Sequence, residues 1–270
     1  MFFDSHDGTR LAYEDYGTGR PIVFIAGAML PTDMWEHQVP YFVEQGYRCV
    51  LIDRRGHGRS DRPASGYDID TTADDLAALI EHLDLRGAIL VGHSTGGAEI
   101  ARYLLRHGDD RVAKVALVAA ILPFLKQTDD NPVGIPEAMA EELFRQIRTD
   151  RGKWMSRQAQ VYFNTHLNDV SPEQVDTTYR QCMSTAPWAT LKIQQSVYHA
   201  DNRDAVRRIA VPALVVHGAL DFSAPVDITG RRTAELLPGA AYKEYPTGGH
   251  GIYTSHAAEF NADLLEFIKA

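Results

Sequence analysis

A serine set between glycines, in Gly92-His93-Ser94-Thr95-Gly96-Gly97, closes an apolar run that ends at Val91 and opens a helix-forming run that starts at Ala98. This spacing predicts a strand that reverses into a helix within a few residues. Such a reversal holds its middle residue in a strained conformation and presses backbone together where side chains at positions 92 and 96 would obstruct. Ser94 then stands exposed at the sheet's edge, the layout of a nucleophile elbow. A serine hydroxyl is a weak nucleophile near neutral pH. It needs a general base, and the base needs a third group that fixes its tautomer and stabilises its positive charge.

Those partners are sought downstream, on loops at the carboxyl ends of strands, where parallel sheets carry their functional groups. The segment Val216-His217-Gly218-Ala219-Leu220-Asp221 supplies Asp221, and Pro246-Thr247-Gly248-Gly249-His250-Gly251 supplies His250. The resulting chain order is Ser, Asp, His. The chain has 11 histidines, so it is position, not residue type, that singles out His250. His217 is read as structural. His93 is expected to point away from Ser94 and to pack or hydrogen-bond locally. Asp227 rivals Asp221, but it falls in the first turn of an expected helix behind Pro225, where a carboxylate suits the helix dipole anyway. A tetrahedral oxyanion also needs two backbone N–H donors. Thr95 is expected to give one, and the loop Ala26-Gly27-Ala28-Met29 the other, through Ala28.

The elements that must position these residues alternate along the chain. An opening hairpin is expected over residues 2–5 and 10–16, turning at Asp7-Gly8. Strands are expected over 21–26, 47–52, 87–91, 112–119, 212–217 and 241–245. Helices are expected over 34–45, over 71–83 with Asp70 or Thr71 as its cap, after the elbow, over 226–237 and over 256–268. Between residues 123 and 204 no strand pattern occurs, only amphipathic helical sequence such as 136–147 and 172–183. The expected architecture is α/β: a mostly parallel, doubly wound sheet of about eight strands formed by residues 1–122 and 205–270, with residues 123–204 as an inserted helical cap. In that cap Trp154, Trp188, Phe163 and Tyr198 lie at helical spacing and read chiefly as core. Trp154 and Trp188, with Met29, are the candidates for a substrate pocket. The segment Asp53-Arg54-Arg55-Gly56-His57-Gly58-Arg59-Ser60 lacks the lysine and spacing of a phosphate loop. It reads as a tight connection whose charges pair locally, with Arg59 and Asp61 on its rim.

Composition narrows the partners. With 27 basic and 36 acidic residues the formal charge is −9, which argues against nucleic acid or an anionic membrane as a partner. Cys49 and Cys182 are the only cysteines and form no C-x-x-C pattern, so neither a disulfide framework nor a metal site is signalled, and both read as buried hydrophobes. The first residues lack the basic start and apolar run of a signal peptide, so a cytoplasmic location is expected. The apolar run 115–125 falls short of the ~18 residues a spanning helix needs and reads as a buried strand with its exit.

The chain resembles the α/β-hydrolase superfamily and, within it, the cofactor-free haloperoxidase, perhydrolase and arylesterase group. The matching stretches are Asp33-Met34-Trp35-Glu36-His37-Gln38, Asp53 to Ser60, Gly92 to Tyr103, Arg106-His107-Gly108, Arg111-Val112-Ala113-Lys114, Val215-Val216-His217-Gly218 and Asn261-Ala262-Asp263-Leu264-Leu265. What the resemblance implies is the α/β-hydrolase fold and ester hydrolysis through an acyl-enzyme on Ser94, with Asp221 and His250 completing a triad and no metal or organic cofactor. It also implies perhydrolysis, with peroxide replacing water as acyl acceptor, and it admits a homo-oligomer. The expected substrate is a small to medium, largely apolar ester or lactone. Lactone or lactam opening and carbon–carbon bond hydrolysis are the rival chemistries of the same site. A non-catalytic small-molecule receptor is the rival of another class. Where the group commonly has His-Gly followed by an aromatic residue, this chain has Ala26-Gly27-Ala28-Met29, which implies a remodelled acyl pocket that admits groups bulkier than acetate.

Overall fold

A computed structural model describes residues 1–270. Eight strands form one sheet in the order β1-β2-β4-β3-β5-β6-β7-β8. The hairpin β1 (Phe2–Asp4) and β2 (Arg10–Tyr16) is antiparallel, and β2 pairs antiparallel with β4 (Arg48–Ile52). From β4 onward every pairing is parallel, through β3 (Pro21–Ile25), β5 (Ala88–His93), β6 (Val112–Val118), β7 (Ala213–Gly218) and β8 (Ala241–Tyr245).

Alternation along each central strand feeds two cores, because successive side chains leave opposite faces of a sheet. Val23, Ile25, Leu90 and Val115 pack on one side with α2 (Ile69–His82) and α3 (Thr95–His107), through Leu76, Leu79, Ile80 and Ile100. Ile22, Phe24, Ile89 and Val91 pack on the other side with α1 (Gln38–Glu44) and the C-terminal helix Ala257–Lys269, through Phe42, Phe260 and Leu264. The sheet is thus wound on both faces. Cys49 and Cys182 are buried and free.

Between β6 and β7 the chain adds α4 (Glu137–Phe163), α5 (Pro172–Ser184), α6 (Pro187–His199) and α7 (Arg203–Arg207) and no strand of the sheet. Helix α8 (Gly230–Leu236) follows β7, while α9 (Ile252–Ser255) and α10 (Ala257–Lys269) follow β8.

Several boundaries differ from the expected ones for local reasons. The cap of α2 is Asp68, not Asp70 or Thr71. Asp68 has the extended backbone (φ −77°, ψ 156°) that lets its carboxylate accept from the Thr71 N–H. The expected helix 34–45 is a 3₁₀ turn over Thr32–Trp35 followed by α1. Helix α4 runs far beyond residue 147, yet breaks at Asp150 (φ −157°, ψ 84°). There the Asp150 carboxylate accepts from the Lys153 N–H at 2.9 Å and restarts the helix. The helix expected over 226–237 begins only at Gly230, because the Thr229 hydroxyl donates back to the carbonyls of Ala224 and Pro225 (3.0 and 2.8 Å) and holds a turn instead.

Candidate active site

Ser94 sits between β5 and α3 with φ 55° and ψ −116°, a left-handed conformation that side chains other than glycine rarely adopt. The flanking glycines permit it. A Cβ on Gly92 would lie 2.5 Å from the Gly96 carbonyl, and one on Gly96 would lie 2.5 Å from the Ile25 carbonyl. Backbone bonds from Ser94 N to Val118 O (2.9 Å) and from Ile121 N to Ser94 O (3.1 Å) pin the residue from the neighbouring strand's exit. Ser94 is only 3 % exposed, so its expected exposure at the sheet's edge is corrected: it faces an internal cavity.

The loops after β7 and β8 bring Asp221 and His250 to the same end of the sheet. His250 Nδ1 lies 2.7 Å from Asp221 Oδ2, and both side chains are buried. The other carboxylate oxygen accepts from the Ser223 and Ala224 N–H groups, each at 2.8 Å. The structural histidine His217 also faces this carboxylate, with Nε2 at 3.3 Å from Asp221 Oδ2 and 2.8 Å from the Ala224 carbonyl. Burial alone would raise the Asp221 pKa. The charge of His250 and the hydrogen bonds from His217 and His250 outweigh it and hold the carboxyl well below the usual range. Asp227 lies at the surface in the turn before α8, paired with Arg231.

His93 departs from the expectation of a locally bonded residue. Its Nε2 lies 2.9 Å from the carbonyl of His250, 157 positions away, and its ring stands 4.7 Å from the His250 ring. Burial, reinforced by neighbouring His250, pushes its pKa well down, so the ring is neutral and Nε2 carries the proton donated to that carbonyl. His93 thus braces the loop that carries His250.

The loop after β3 lies opposite. Ala28 donates its N–H to no acceptor, whereas the adjacent Met29 N–H is taken by His57 Nε2 at 3.1 Å. Thr95 supplies the first turn of α3, whose leading N–H groups lie beyond the reach of intrahelical bonding. Ser94, His250, Gly27, Ala28 and Met29 all line one cavity of about 330 Å³.

The rest of the wall is mostly apolar and comes chiefly from the segment between β6 and β7, including Leu143, Phe144, Trp154, Tyr162, Phe163 and Tyr198. Two sequence-selected residues are therefore placed here, Met29 and Trp154. Trp188 is not. It lies 48 % exposed on the outer face of α6, where its indole N–H donates to Ala64 O at 2.6 Å and Lys192 stacks on its ring. The opening proline of α6 and the outward helical phase turn it away from the cavity. Phe144, Tyr162 and Phe222 were not singled out by sequence, since an apolar residue on a helix or loop carries no mark of which cavity it lines.

The charged loop after β4 also corrects its expected local pairing. Arg54 pairs with Glu99 on α3, and Arg55 with Asp75 on α2 and with Asp7. Arg54 and Arg55 are buried, while Arg59 and Asp61 remain on the rim. No group of three or more His, Cys, Asp or Glu side chains is placed to hold a metal ion. No helix is long and apolar enough to cross a membrane.

A mostly parallel, doubly wound sheet with a serine elbow after its central strand defines a class, and comparison with known proteins agrees. Residues 20–257 match the α/β hydrolase fold family, and the chain belongs to it. A non-heme haloperoxidase from Rhodococcus erythropolis is 39% identical over 100% of this chain and 99% of its own. A bifunctional esterase/perhydrolase from Acinetobacter calcoaceticus is 36% identical over the same shares, 100% and 99%. The solved structure of an esterase from Exiguobacterium antarcticum superposes with a TM-score of 0.95 at 29% identity, covering 100% of this chain and 99% of that one. Within the family the chain falls in the non-heme haloperoxidase and perhydrolase group, and it is a hydrolase.

Proposed function

We propose that the protein is a serine carboxylester hydrolase that works through an acyl-enzyme on Ser94. The observation that carries this reading is the joint placement of a strained, cavity-facing Ser94 and a His250 whose Nδ1 is fixed by buried, ionised Asp221 at 2.7 Å. With Nδ1–H committed to the carboxylate, Nε2 of His250 is left as the basic nitrogen that faces the cavity. As Ser94 Oγ attacks an ester carbonyl carbon, His250 takes its proton and returns it to the departing alcohol oxygen. A water molecule then gives a proton to His250 as its oxygen attacks the acyl carbon; the acyl–Oγ bond breaks, His250 returns the proton to Ser94 Oγ, and the acid leaves. Asp221 orients the imidazole and stabilises its charged form. The N–H groups of Ala28 and Thr95 receive the tetrahedral oxyanion.

The apolar wall favours small to medium ester or lactone substrates with little charge. The relatives named haloperoxidase and esterase/perhydrolase favour a side activity in which hydrogen peroxide replaces water at deacylation. The peroxide gives one proton to His250 and the remaining HOO group bonds through its deprotonated oxygen to the acyl carbon with the O–O bond intact; the acyl–Oγ bond breaks, His250 returns the proton to Ser94 Oγ, and a peracid leaves instead of an acid. The test is stoichiometric labelling of purified protein by a fluorophosphonate together with turnover of p-nitrophenyl esters. Both are expected in the wild type and absent in Ser94→Ala. Labelling without turnover across a broad ester panel would favour a ligand-binding receptor instead.

A further inference from the structure

The charged loop Asp53-Arg54-Arg55-Gly56-His57 holds the loop after β3 at four points, the carbonyls of Ala26 and Gly27 and the N–H groups of Met29 and Thr32. Asp53 Oδ1 accepts from Thr32 N–H at 2.8 Å, and His57 Nε2 accepts from Met29 N–H at 3.1 Å. The His57 ring is fixed for this by its other nitrogen, 2.9 Å from the Arg55 carbonyl. Burial and the nearby Arg54 lower its pKa to about 3, so it stays a neutral acceptor. Arg54 holds two carbonyls of the loop: one guanidinium nitrogen donates to Ala26 O at 2.7 Å and another to Gly27 O at 3.2 Å, while the Met29 carbonyl accepts from the Thr185 hydroxyl at 2.8 Å. Its remaining hydrogen bonds go to Glu99, including one of 2.8 Å to Oε2. After this, the Ala28 N–H is left without an acceptor.

A trans peptide directs its C=O and N–H in opposite directions. The Gly27 carbonyl and the Ala28 N–H belong to one peptide unit; the carbonyl accepts from Arg54 at 3.2 Å and from Leu30 N–H at 3.3 Å, so these two bonds together fix the direction in which the Ala28 N–H points, and of the two only the bond from Arg54 carries charge. A cationic donor on the carbonyl also polarises the amide and strengthens its N–H as a donor. Arg54 and Glu99 are both buried, so this pair is little screened by water. Glu99 lies one turn along the helix that Thr95 opens, so the same ion pair ties the Gly27–Ala28 peptide to the start of that helix.

We propose that Arg54, seated on Glu99, is a positioning residue that aims and polarises the Ala28 N–H toward the oxyanion. This rests on the acyl-enzyme reading above. Arg54→Met should lower kcat for p-nitrophenyl butyrate about 30- to 100-fold with KM within about threefold, because an oxyanion donor acts on the transition state and losing one outright costs 10²–10³. Arg54→Lys, which keeps the charge but not the fork, should fall between, and Glu99→Gln should follow it. An alkylboronic acid, which forms a tetrahedral anion on the serine, should lose affinity by the same factor as kcat. Hexanol, a neutral competitor for the cavity, should keep its inhibition constant. Folded variants with wild-type kcat and boronate affinity would overturn the proposal. So would a parallel loss of boronate and hexanol binding, which marks general disruption of the cavity. Should Arg54→Met not fold, Arg54→Lys and Glu99→Gln carry the same comparison. A wild type that neither turns over esters nor takes up fluorophosphonate overturns the functional reading itself.

Discussion

Replacing Asp221 by Asn tests the orientation of the base more sharply than any truncation, because the backbone dictates how the amide must sit. Asp221 Oδ1 accepts from both Ser223 N–H and Ala224 N–H at 2.8 Å. An amide at this position must keep its oxygen there, since its NH₂ would face two donors. The NH₂ then occupies the place of Oδ2, 2.7 Å from His250 Nδ1. To accept from it, His250 must shift its proton to Nε2, the nitrogen needed to deprotonate Ser94. The wrong tautomer of a catalytic histidine lowers kcat about 10⁴-fold, roughly 5.5 kcal/mol of transition-state free energy. Binding in the apolar cavity is untouched, so KM should stay within a few-fold. Steady-state hydrolysis of p-nitrophenyl butyrate at pH 8, with thermal melting as a check on folding, measures both. An Asp221→Asn protein within tenfold of wild-type kcat would refute the argument. Asp227→Asn is the companion control and should leave kcat unchanged, because Asp227 is at the surface and bound to Arg231.

Three further outcomes are expected. Trp188→Ala should leave kcat/KM within about twofold, since the indole is bonded to Ala64 outside the cavity; a tenfold loss would place it in the substrate path. With Ala28 and Met29 in the cavity wall, butyrate and branched acyl esters should be cleaved at least as efficiently as acetate, and a steep preference for acetate in kcat/KM would count against a widened acyl pocket. Buried His57 and His93 have folded pKa values depressed by burial, to about 3 for His57, against an ordinary value of 6.5. The unfolded chain therefore binds more protons below pH 6.5, and the stability these neutral rings contribute is complete above that pH and lost as pH falls toward 3. His57 should remove about 2 kcal/mol between pH 7 and pH 5, and His93 should act in the same direction. A urea midpoint that does not drop over that interval would contradict the neutral, buried state of both.

The central strands are readable in sequence because β3, β5 and β7 are short apolar runs bounded by glycine, proline or charge, whereas β8, Ala241-Tyr242-Lys243-Glu244-Tyr245, is an exposed edge; the elbow at Ser94 is readable because Gly92 and Gly96 leave a local steric mark. Asp221 and His250 follow from a topological rule, that groups gather where strands end, and the fold pairs them with each other and sets His250 in the wall of the cavity that Ser94 lines. Residues acting through long-range pairing left no such mark. Arg54 and Glu99 are 45 positions apart, and His93 reaches a carbonyl 157 positions away. Local reading therefore makes Arg54 part of a tight connection whose charges pair locally and His93 a locally bonded neighbour. Trp188 failed for another reason. A tryptophan on a half-buried helix fits the cavity face and the outer face equally well in sequence, and only the packing of α6 decides between them.

The placement of these residues separates reactivity from selectivity. Ser94, Ala28, Asp221 and His250 stand on loops leaving β5, β3, β7 and β8, so their relative positions are set by strand pairing and by buried braces such as Arg54 and His93. Leu143, Phe144, Trp154, Tyr162 and Tyr198 line the same cavity from helices that pair with no strand of that sheet. Changing a sheet-borne brace moves a reacting group by fractions of an ångström and is felt in kcat, because transition-state hydrogen bonds are steep in distance. Resizing a helical wall residue alters which acyl or alcohol group fits and is felt in the ratio of kcat/KM between substrates, at about 1–3 kcal/mol per methylene-scale mismatch. On the proposed acyl-enzyme reading, one sheet edge with this chemistry serves different esters through substitutions confined to α4, α5 and α6, while a single change at Arg54 or His93 is felt by all of them.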